Sequence, residues 1–183
     1  ILNNLDQEKY EIYPIYISKD GKWYEYQKKE KEMKFGETIK QDKEINDVIK
    51  YLKKLDVLFP VLHGLYGEDG TIQGLFELLK IPYIGCKVLA SSVGMDKVYT
   101  KIIFERAGLK QAKYVYIRKY KDKYIYVDSQ FNEKIMNLDE VAKIIEEKLD
   151  YPMFIKPSNS GSSVGINKAK NKEELEKNIE FAA

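Results

Sequence analysis

The sequence contains very little of the chemistry that builds metal centres and disulfides. Among its 183 residues there is one histidine, His63, and one cysteine, Cys86. A zinc site of histidine and cysteine ligands needs several such side chains, so the sequence excludes one, and we predict no metal-binding residues in this chain. A lone cysteine cannot form an internal disulfide, and we therefore expect a reducing compartment, the cytoplasm.

Long apolar runs and an excess of one charge are also lacking. No apolar run approaches the roughly 20 residues that a membrane-spanning helix needs. The 31 Lys and Arg residues nearly balance the 29 Asp and Glu residues, which leaves a net charge of +2. Interleaved charges of both signs indicate a solvated surface, so we expect neither a nucleic-acid nor a membrane partner. A hydrophobic content of 44% fits a globular protein of one large or two small domains.

In its first half the sequence alternates strand-like and helix-like segments. The patterns predict, in order, strands at 10–17 and 23–26, a mobile charged excursion at 28–44, a helix at 45–55, a strand at 57–62, a helix at 71–80 and a strand at 81–85. Alternating strands and helices are typical of α/β folds with a parallel sheet. We therefore predict a Rossmann-like N-terminal domain over residues 1–90.

The second half of the sequence mixes hairpins and helices. Small residues at 90–94 suggest a linker or hinge between domains. Beyond it the patterns predict a helix at 97–107, paired strands at 112–117 and 124–127, a helix at 138–149, strands at 153–155 and 165–169, and a helix at 171–183. This order predicts an α+β domain over residues 91–183. Because the first residues look like the end of a helix and the last helix has no capping glycine, we expect a piece of a longer protein.

The glycine-rich turn that begins at His63 lies where ligands bind in α/β proteins. It follows an apolar strand and precedes a helix, and ligands of such sheets sit at the carboxyl ends of strands. A lone histidine there is more often a structural residue than a ligand or base. Glu68 and Asp69 lie just before the predicted helix, where carboxylates cap free N–H groups, so capping and function are equally open for them.

Two lysines are candidates for binding an anion. Lys156 ends a predicted strand and precedes a serine- and glycine-rich loop, whose N–H groups and hydroxyls could cradle phosphate oxygens. It is not a Walker A loop, because that motif places its lysine after the glycines and opens a helix. A polar hairpin turn with an exposed lysine is the equally open alternative. Lys97 begins a predicted helix, where its charge opposes the helix dipole, and this suggests an anionic ligand or simply a surface lysine.

Taken together, these segments resemble the D-alanine–D-alanine ligases of the ATP-grasp superfamily. The resemblance rests on the order and spacing of motifs across residues 57–168. The matching residues are His63-Gly64, Gly67-Glu68-Asp69-Gly70, Gln73-Gly74, Glu77, Ile81-Pro82-Tyr83-Ile84-Gly85, Ala90-Ser91-Ser92, Met95-Asp96-Lys97, Lys101, Ile155-Lys156-Pro157 and Gly161-Ser162-Ser163-Val164-Gly165. Residues 10–26 are also similar to the early strands of the family.

The resemblance implies a fold and a role for each matching residue. The N-terminal domain would be the pre-ATP-grasp domain, and residues 91–183 would be the first part of the ATP-grasp domain. Lys97 and Lys156 would contact the phosphates of ATP. Gly161, Ser162 and Ser163 would form the loop over the triphosphate, with Ser162 also orienting a D-alanine. His63 would lie near the first D-alanine, Glu68 would hold that turn, and His63 and Ser162 are the catalytic candidates.

The resemblance also implies a reaction. Such ligases transfer the γ-phosphoryl group of ATP to the carboxylate of one D-alanine, and the amine of a second D-alanine attacks the acyl phosphate. The dipeptide serves peptidoglycan synthesis. Positioning and charge neutralisation are the expected means, with Mg²⁺ as cofactor. We expect a homodimer, as the resemblance implies.

Several alternatives remain open at this point. The family's first glycine-rich turn would precede Ile1, and its adenine site, catalytic arginine and Mg²⁺ ligands would follow Ala183, so this stretch alone should not catalyse ligation. A ligase that takes D-lactate or D-serine as its second substrate has the same motifs. A non-catalytic nucleotide-binding module of this fold and a structural domain without a ligand are the other possibilities.

Overall fold

The computed structural model describes residues 2–26, 43–161 and 164–182. Two compact units divide the chain, Ile1–Leu58 and Phe59–Ala183. The elements of the first unit are a 3₁₀ turn at Leu2–Asn4, then β1 (Ile15–Ile17), β2 (Trp23–Glu25), β3 (Lys43–Glu44) and α1 (Val48–Leu52). Those of the second are α2 (Thr71–Leu79), α3 (Val88–Met95), α4 (Lys97–Arg106), β4 (Tyr116–Tyr120), β5 (Lys123–Val127), β6 (Glu133–Met136), α5 (Leu138–Lys148), β7 (Met153–Ile155), β8 (Asn167–Ala169) and α6 (Lys172–Ala182).

An antiparallel sheet in the order β1-β2-β3 forms the first unit. Ile15 pairs with Glu25 and Ile17 with Trp23, so the predicted strand at 10–17 is paired only over its last three residues. The predicted helix at 45–55 shortens to α1, because Asp47 caps its first turn by accepting a hydrogen bond from the N–H of Lys50 at 2.9 Å. The buried apolar residues of the unit are Tyr24, Ile45, Leu52 and Leu58.

Three consecutive helices, α2, α3 and α4, begin the second unit. Each contacts the next one along the chain. Asp96 ends α3 and caps α4, since its Oδ1 accepts hydrogen bonds from the N–H groups of Val98 at 2.8 Å and Tyr99 at 3.2 Å. The predicted helices at 71–80 and 97–107 are confirmed almost to the residue.

The rest of the second unit surrounds the main hydrophobic core. Sheet β4-β5-β6 and hairpin β7-β8 are both antiparallel, and α5 contacts both β5 and α6. Helix α5 begins with a capping box, in which Asn137 and Glu140 each accept a hydrogen bond of 2.9 Å from the other's N–H. The core residues are Tyr124, Met136, Val141, Ala142, Ile145, Met153, Ala169, Leu175 and Ile179.

The predicted parallel sheet is not observed in the described part of the chain, where every paired strand is antiparallel. The predicted strands at 57–62 and 81–85 contain only single bridge residues, Leu58 and Tyr83. Apolar composition signals burial, but a strand also requires a neighbour that completes its backbone hydrogen bonds. Among the described residues, neither segment extends its single bridge into a strand of two or more paired residues.

Two further expectations differ from the structure. The predicted hinge at 90–94 lies inside helix α3, which begins after Lys87 and ends before Asp96. Alanine and serine are both compatible with a helix. The hairpin strand expected at 112–117 is displaced to β4, and the third strand β6 was not predicted. The excursion expected at 28–44 lies almost entirely outside the described residues. None of the helices in the described segments is long and apolar enough to cross a membrane.

Candidate functional site

Two acidic side chains hold the turn at residues 63–70, which we call the His63 turn. The Oε2 atom of Glu68 accepts a hydrogen bond from the N–H of Gly64 at 2.5 Å. The carboxylate of Asp69 accepts from the N–H groups of Tyr66 and Thr71, both at 2.9 Å. Burial raises the pKa of Asp69, but the N–H donors outweigh it and hold that pKa below its ordinary value. Both carboxylates therefore shape the turn, and Asp69 also accepts the N–H of Thr71, the first residue of α2.

Two glycines of the His63 turn occupy positions that no side chain fits. A Cβ atom on Gly67 would lie 2.5 Å from the Cβ of Leu62. A Cβ on Gly70 would lie 2.4 Å from the Oγ of Ser92 and 2.9 Å from the carbonyl oxygen of Val88. Gly70 also has a φ of 94°, which side chains rarely adopt. The turn therefore packs against its surroundings as closely as glycine allows.

The His63 side chain is exposed, as are those of Leu65 and Tyr66 in the same turn. It has no hydrogen-bond or ion-pair partner within the described ranges. The structural role that a lone histidine most often has would require such a partner. His63 therefore stands at the edge of a rigid turn, accessible to a ligand.

Gln73 is a residue of the motif to which the sequence assigned no role. It is buried in α2, and its Nε2 donates a hydrogen bond to the carbonyl oxygen of Gly67 at 2.9 Å. Its Oε1 is buried and has no partner in the part of the chain that the structure describes. Gln73 thus ties the middle of the His63 turn to α2.

Lys97 joins the start of α4 to the loop that follows β7, which we call the Ser/Gly loop (residues 157–165). Its N–H donates to the carbonyl oxygen of Ser158 at 3.0 Å. Its ammonium group donates to the same carbonyl at 3.4 Å and makes a short hydrogen bond to the carbonyl oxygen of Ser160. A lysine at the positive end of a helix is therefore stabilised by carbonyl groups of the loop.

Lys156 lies directly after β7 and is exposed. Its charge acts on Lys97: burial first, and then the positive charge of Lys156, lower the pKa of Lys97 below its ordinary value. Two lysines from distant parts of the sequence thus meet at one loop. Like charges held together in this way are electrostatically favoured when an anion binds between them.

The Ser/Gly loop is built from local hydrogen bonds in its described residues. The hydroxyl of Ser160 donates to the carbonyl oxygen of Val164 at 2.9 Å, and the N–H of Val164 donates to the carbonyl oxygen of Gly161 at 3.0 Å. Gly165 has a φ of 74°, and a Cβ there would lie 2.7 Å from the Cγ of Pro157. The predicted site residues Ser162 and Ser163 lie outside the described residues.

The residues present suit a polyphosphate better than a divalent cation. The two lysines supply positive charge beside a loop of serine and glycine residues, whose backbone N–H groups and hydroxyls are typical of phosphate-binding sites. The described segments hold no group of three or more His, Cys, Asp or Glu residues able to bind a metal. Lys97 and Lys156 could therefore hold the phosphates of a nucleotide, whereas no Mg²⁺ ligand can be named among the described residues.

Three residues of the matching motifs hold these segments in place, although the sequence analysis assigned them no role, namely Ser92, Gln73 and Asp96. Asp96 had a signal, since an aspartate directly before a helix is typical of an N-cap. The contacts of Ser92 and Gln73 had no local signal, because their partners are backbone carbonyls that only the fold brings near.

Comparison with known proteins matches almost the entire chain. The family model described as "D-ala D-ala ligase N-terminus" matches residues 1–86, and the one described as "D-ala D-ala ligase C-terminus" matches residues 103–183. The D-alanine--D-alanine ligase of Clostridium novyi (strain NT) is 49% identical over 100% of this chain and 50% of its own length. That of Clostridium acetobutylicum is 48% identical with the same coverage. The chain thus spans about half the length of the curated relatives that it matches.

Solved structures show the same similarity. The VanG D-Ala:D-Ser ligase from Enterococcus faecalis has a TM-score of 0.70 and 32% identity, and the match covers 99% of this chain and 52% of that one. The D-alanine-D-alanine ligase from Coxiella burnetii has a TM-score of 0.56 and 25% identity, with 93% of this chain and 40% of that one covered.

Proposed function

Since this chain belongs to the D-alanine–D-alanine ligase family, we propose that it supplies the first-substrate turn and two phosphate-binding lysines of an ATP-dependent ligase that joins two D-alanines. The observation that carries the proposal is the meeting of Lys97 and Lys156 at the Ser/Gly loop. The reaction needs a carboxylate and a triphosphate side by side, and both are anions. Two ammonium groups at one loop lower the electrostatic cost of bringing them together.

Each described residue would contribute to binding rather than to bond breaking. In the proposed complex, Lys97 exchanges its carbonyl partners at Ser158 and Ser160 for phosphate oxygens, which are stronger acceptors because they are charged. Lys156 is exposed and already free to approach the nucleotide. The activation step gives an acyl phosphate, which the second amine converts to the dipeptide and phosphate. Mg²⁺, when bound, would neutralise phosphate charge.

The His63 turn would hold the first D-alanine. Its exposed imidazole can donate a hydrogen bond to a carboxylate, and the Glu68 and Asp69 contacts keep the backbone around it rigid. Preorganisation of this kind lowers the entropic cost of placing a small substrate. The catalytic role of Ser162, and the nucleotide contacts of Gly161 and Ser163, remain predictions from the family resemblance.

Lys156→Ala in the full-length protein tests the proposal. We expect D-alanine-dependent ATP hydrolysis to fall by at least 100-fold, on the order of the roughly 3 kcal/mol that a charged hydrogen bond contributes in a transition state. Lys168→Ala is the matched control. Lys168 is an exposed lysine on β8 of the same hairpin, so its substitution removes the same charge. ATP turnover that is unchanged in Lys156→Ala would contradict the site assignment.

A D-alanine–D-serine ligase is the second candidate. It is favoured by the similarity to the VanG D-Ala:D-Ser ligase, at a TM-score of 0.70 over 99% of this chain. Competition between D-alanine, D-serine and D-lactate for the second site, read as the ratio of dipeptide or depsipeptide products, distinguishes these activities. ATP binding without turnover under any of the three would instead support a non-catalytic nucleotide-binding module.

Localisation and assembly also remain expectations. We propose a cytoplasmic homodimer that acts in peptidoglycan synthesis, in line with the reducing compartment expected from the single cysteine. Sedimentation of the full-length protein would show its oligomeric state.

A further inference from the structure

We propose that Ser92 is a positioning residue for the His63 turn, and through it for the small substrate that the turn holds. The identity of that substrate as D-alanine rests on the proposed function. The Oγ atom of Ser92 lies 2.8 Å from the carbonyl oxygen of Asp69 and 2.9 Å from that of Val88. Asp69 belongs to the turn, whereas Ser92 belongs to α3, 23 residues further along the chain.

The contact between the His63 turn and α3 is so close that it depends on the residue types at positions 70 and 92. Gly70 follows Asp69, and a Cβ atom there would lie 2.4 Å from the Oγ of Ser92. The turn can therefore approach α3 only because residue 70 has no side chain and residue 92 has a small one that donates a hydrogen bond. A serine without the turn contact would direct its single proton to Val88, four residues earlier in its own helix.

The position of Ser92 gives this contact a consequence for the site. Helix α3 ends at Met95, and the next residue, Asp96, caps the helix that begins with Lys97. The middle of α3 is thus tied to the turn that carries His63, and its C-terminal end, three residues beyond Ser92, leads to a candidate phosphate-binding lysine. A ligase must hold the substrate carboxylate at a fixed distance from the phosphate, so a tie between these two segments is placed where positioning matters.

The other contacts of the turn do not provide this link. Glu68 and Asp69 bond within residues 64–71, and Gln73 belongs to α2, which directly follows the turn. Among the side-chain hydrogen bonds of the described residues, that of Ser92 joins the turn to α3. Its removal should loosen the turn relative to α3 while leaving the internal shape of the turn intact.

Ser92→Ala in the full-length protein tests the proposal, with Ser91→Ala as the matched control. Ser91 is the neighbouring serine of the same helix, and its hydroxyl contacts the carbonyl oxygen of Cys86 at 3.2 Å, away from the turn. Both substitutions change helix propensity equally, so that effect cancels. We expect Ser92→Ala to raise the KM for D-alanine at the first site about three- to tenfold, the range that one lost hydrogen bond produces, with the KM for ATP within about twofold. Ser91→Ala should not change the ratio of the two KM values.

Hydrogen exchange provides a second measurement that does not depend on activity. Ser92→Ala should accelerate amide exchange in peptides that cover residues 64–72, and Ser91→Ala should not. An unchanged KM for D-alanine together with unchanged exchange would overturn the proposal, as would a parallel rise in the KM for ATP. If the unsubstituted protein shows no D-alanine-dependent turnover, the proposed function fails, whereas the exchange result still decides whether Ser92 positions the turn.

Discussion

Replacing Gly165 by alanine should destabilise the protein because two separate penalties apply at this position. Gly165 has a φ of 74°, in the left-handed region, where a residue with a side chain costs roughly 1–2 kcal/mol. The new Cβ would also lie 2.7 Å from the Cγ and 3.3 Å from the Cδ of Pro157. A proline ring is fixed to its own backbone and yields little, so this overpacking adds about 1–3 kcal/mol. The expected total loss in the free energy of unfolding is about 2–5 kcal/mol.

Gly108 offers a control in which only the first penalty operates. Its φ is 73°, yet a Cβ there would meet no heavy atom of the described residues within 4 Å. Gly108→Ala should therefore cost only the roughly 1–2 kcal/mol of the left-handed backbone. Both substitutions reduce the entropy of the unfolded chain equally, so that effect cancels in the comparison.

The assay is urea unfolding of the two variants, followed by far-UV circular dichroism. The difference between them should be about 1–3 kcal/mol, with Gly165→Ala the less stable. If the proposed function holds, the Gly165 variant of the full-length protein should also bind ATP more weakly, because Gly165 ends the Ser/Gly loop, whereas Gly108→Ala should bind normally. Equal stability of the two variants would refute the reasoning, since it would mean that Pro157 does not approach Gly165 as the structure shows.

Two further predictions concern the second unit. Leu175→Ala should lower the free energy of unfolding by about 2–5 kcal/mol, because Leu175 is 1% exposed and lies in the main core. Leu78 is 83% exposed, so the control Leu78→Ala should change that free energy by no more than about 0.5 kcal/mol. Equal urea midpoints for the two variants would contradict the burial of Leu175. Hydrogen bonds from Lys143 and Lys172 lower the pKa of Asp139 from its ordinary value of 3.8 to about 2. The stability that this carboxylate contributes is therefore present above pH 3.8 and is lost as the pH falls from 3.8 towards 2. Asp139→Asn should flatten the stability profile over that window, and an unchanged acid transition would exclude the contribution.

Local sequence signals predicted elements well where the partners of a residue lie nearby in the chain. Helix α5 was expected at 138–149 and is observed at Leu138–Lys148, since its apolar stripe and its capping box are both local. Strand β7 was expected at 153–155 and is observed there. The apolar segment at 57–62 shows the limit of such signals. Its composition predicts a strand, but composition cannot say whether a neighbouring strand is present to pair with it.

The candidate site divides in the same way. His63, Glu68, Lys97, Lys156 and the glycines of the His63 turn and the Ser/Gly loop were named from motif order, and their roles at the site stay predictions. The segment at 90–94, for which the sequence suggested a linker or hinge, lies within helix α3, since small residues are equally suited to a linker and to a close-packed helix. Its true role in α3 depends on the approach of Gly70, which lies outside any local window.

The amino-acid sequence by itself determined the family and the identity of the charged groups, because both depend on residue type and on the spacing of motifs. The tertiary structure decided that Lys97 bonds to the carbonyls of Ser158 and Ser160, and that Lys156 lies close enough to lower the pKa of Lys97. It also decided that the hydroxyl of Ser92 reaches the His63 turn. These are contacts between segments far apart in the chain. They form only when folding overcomes the entropic cost of closing the long stretch of chain between the segments.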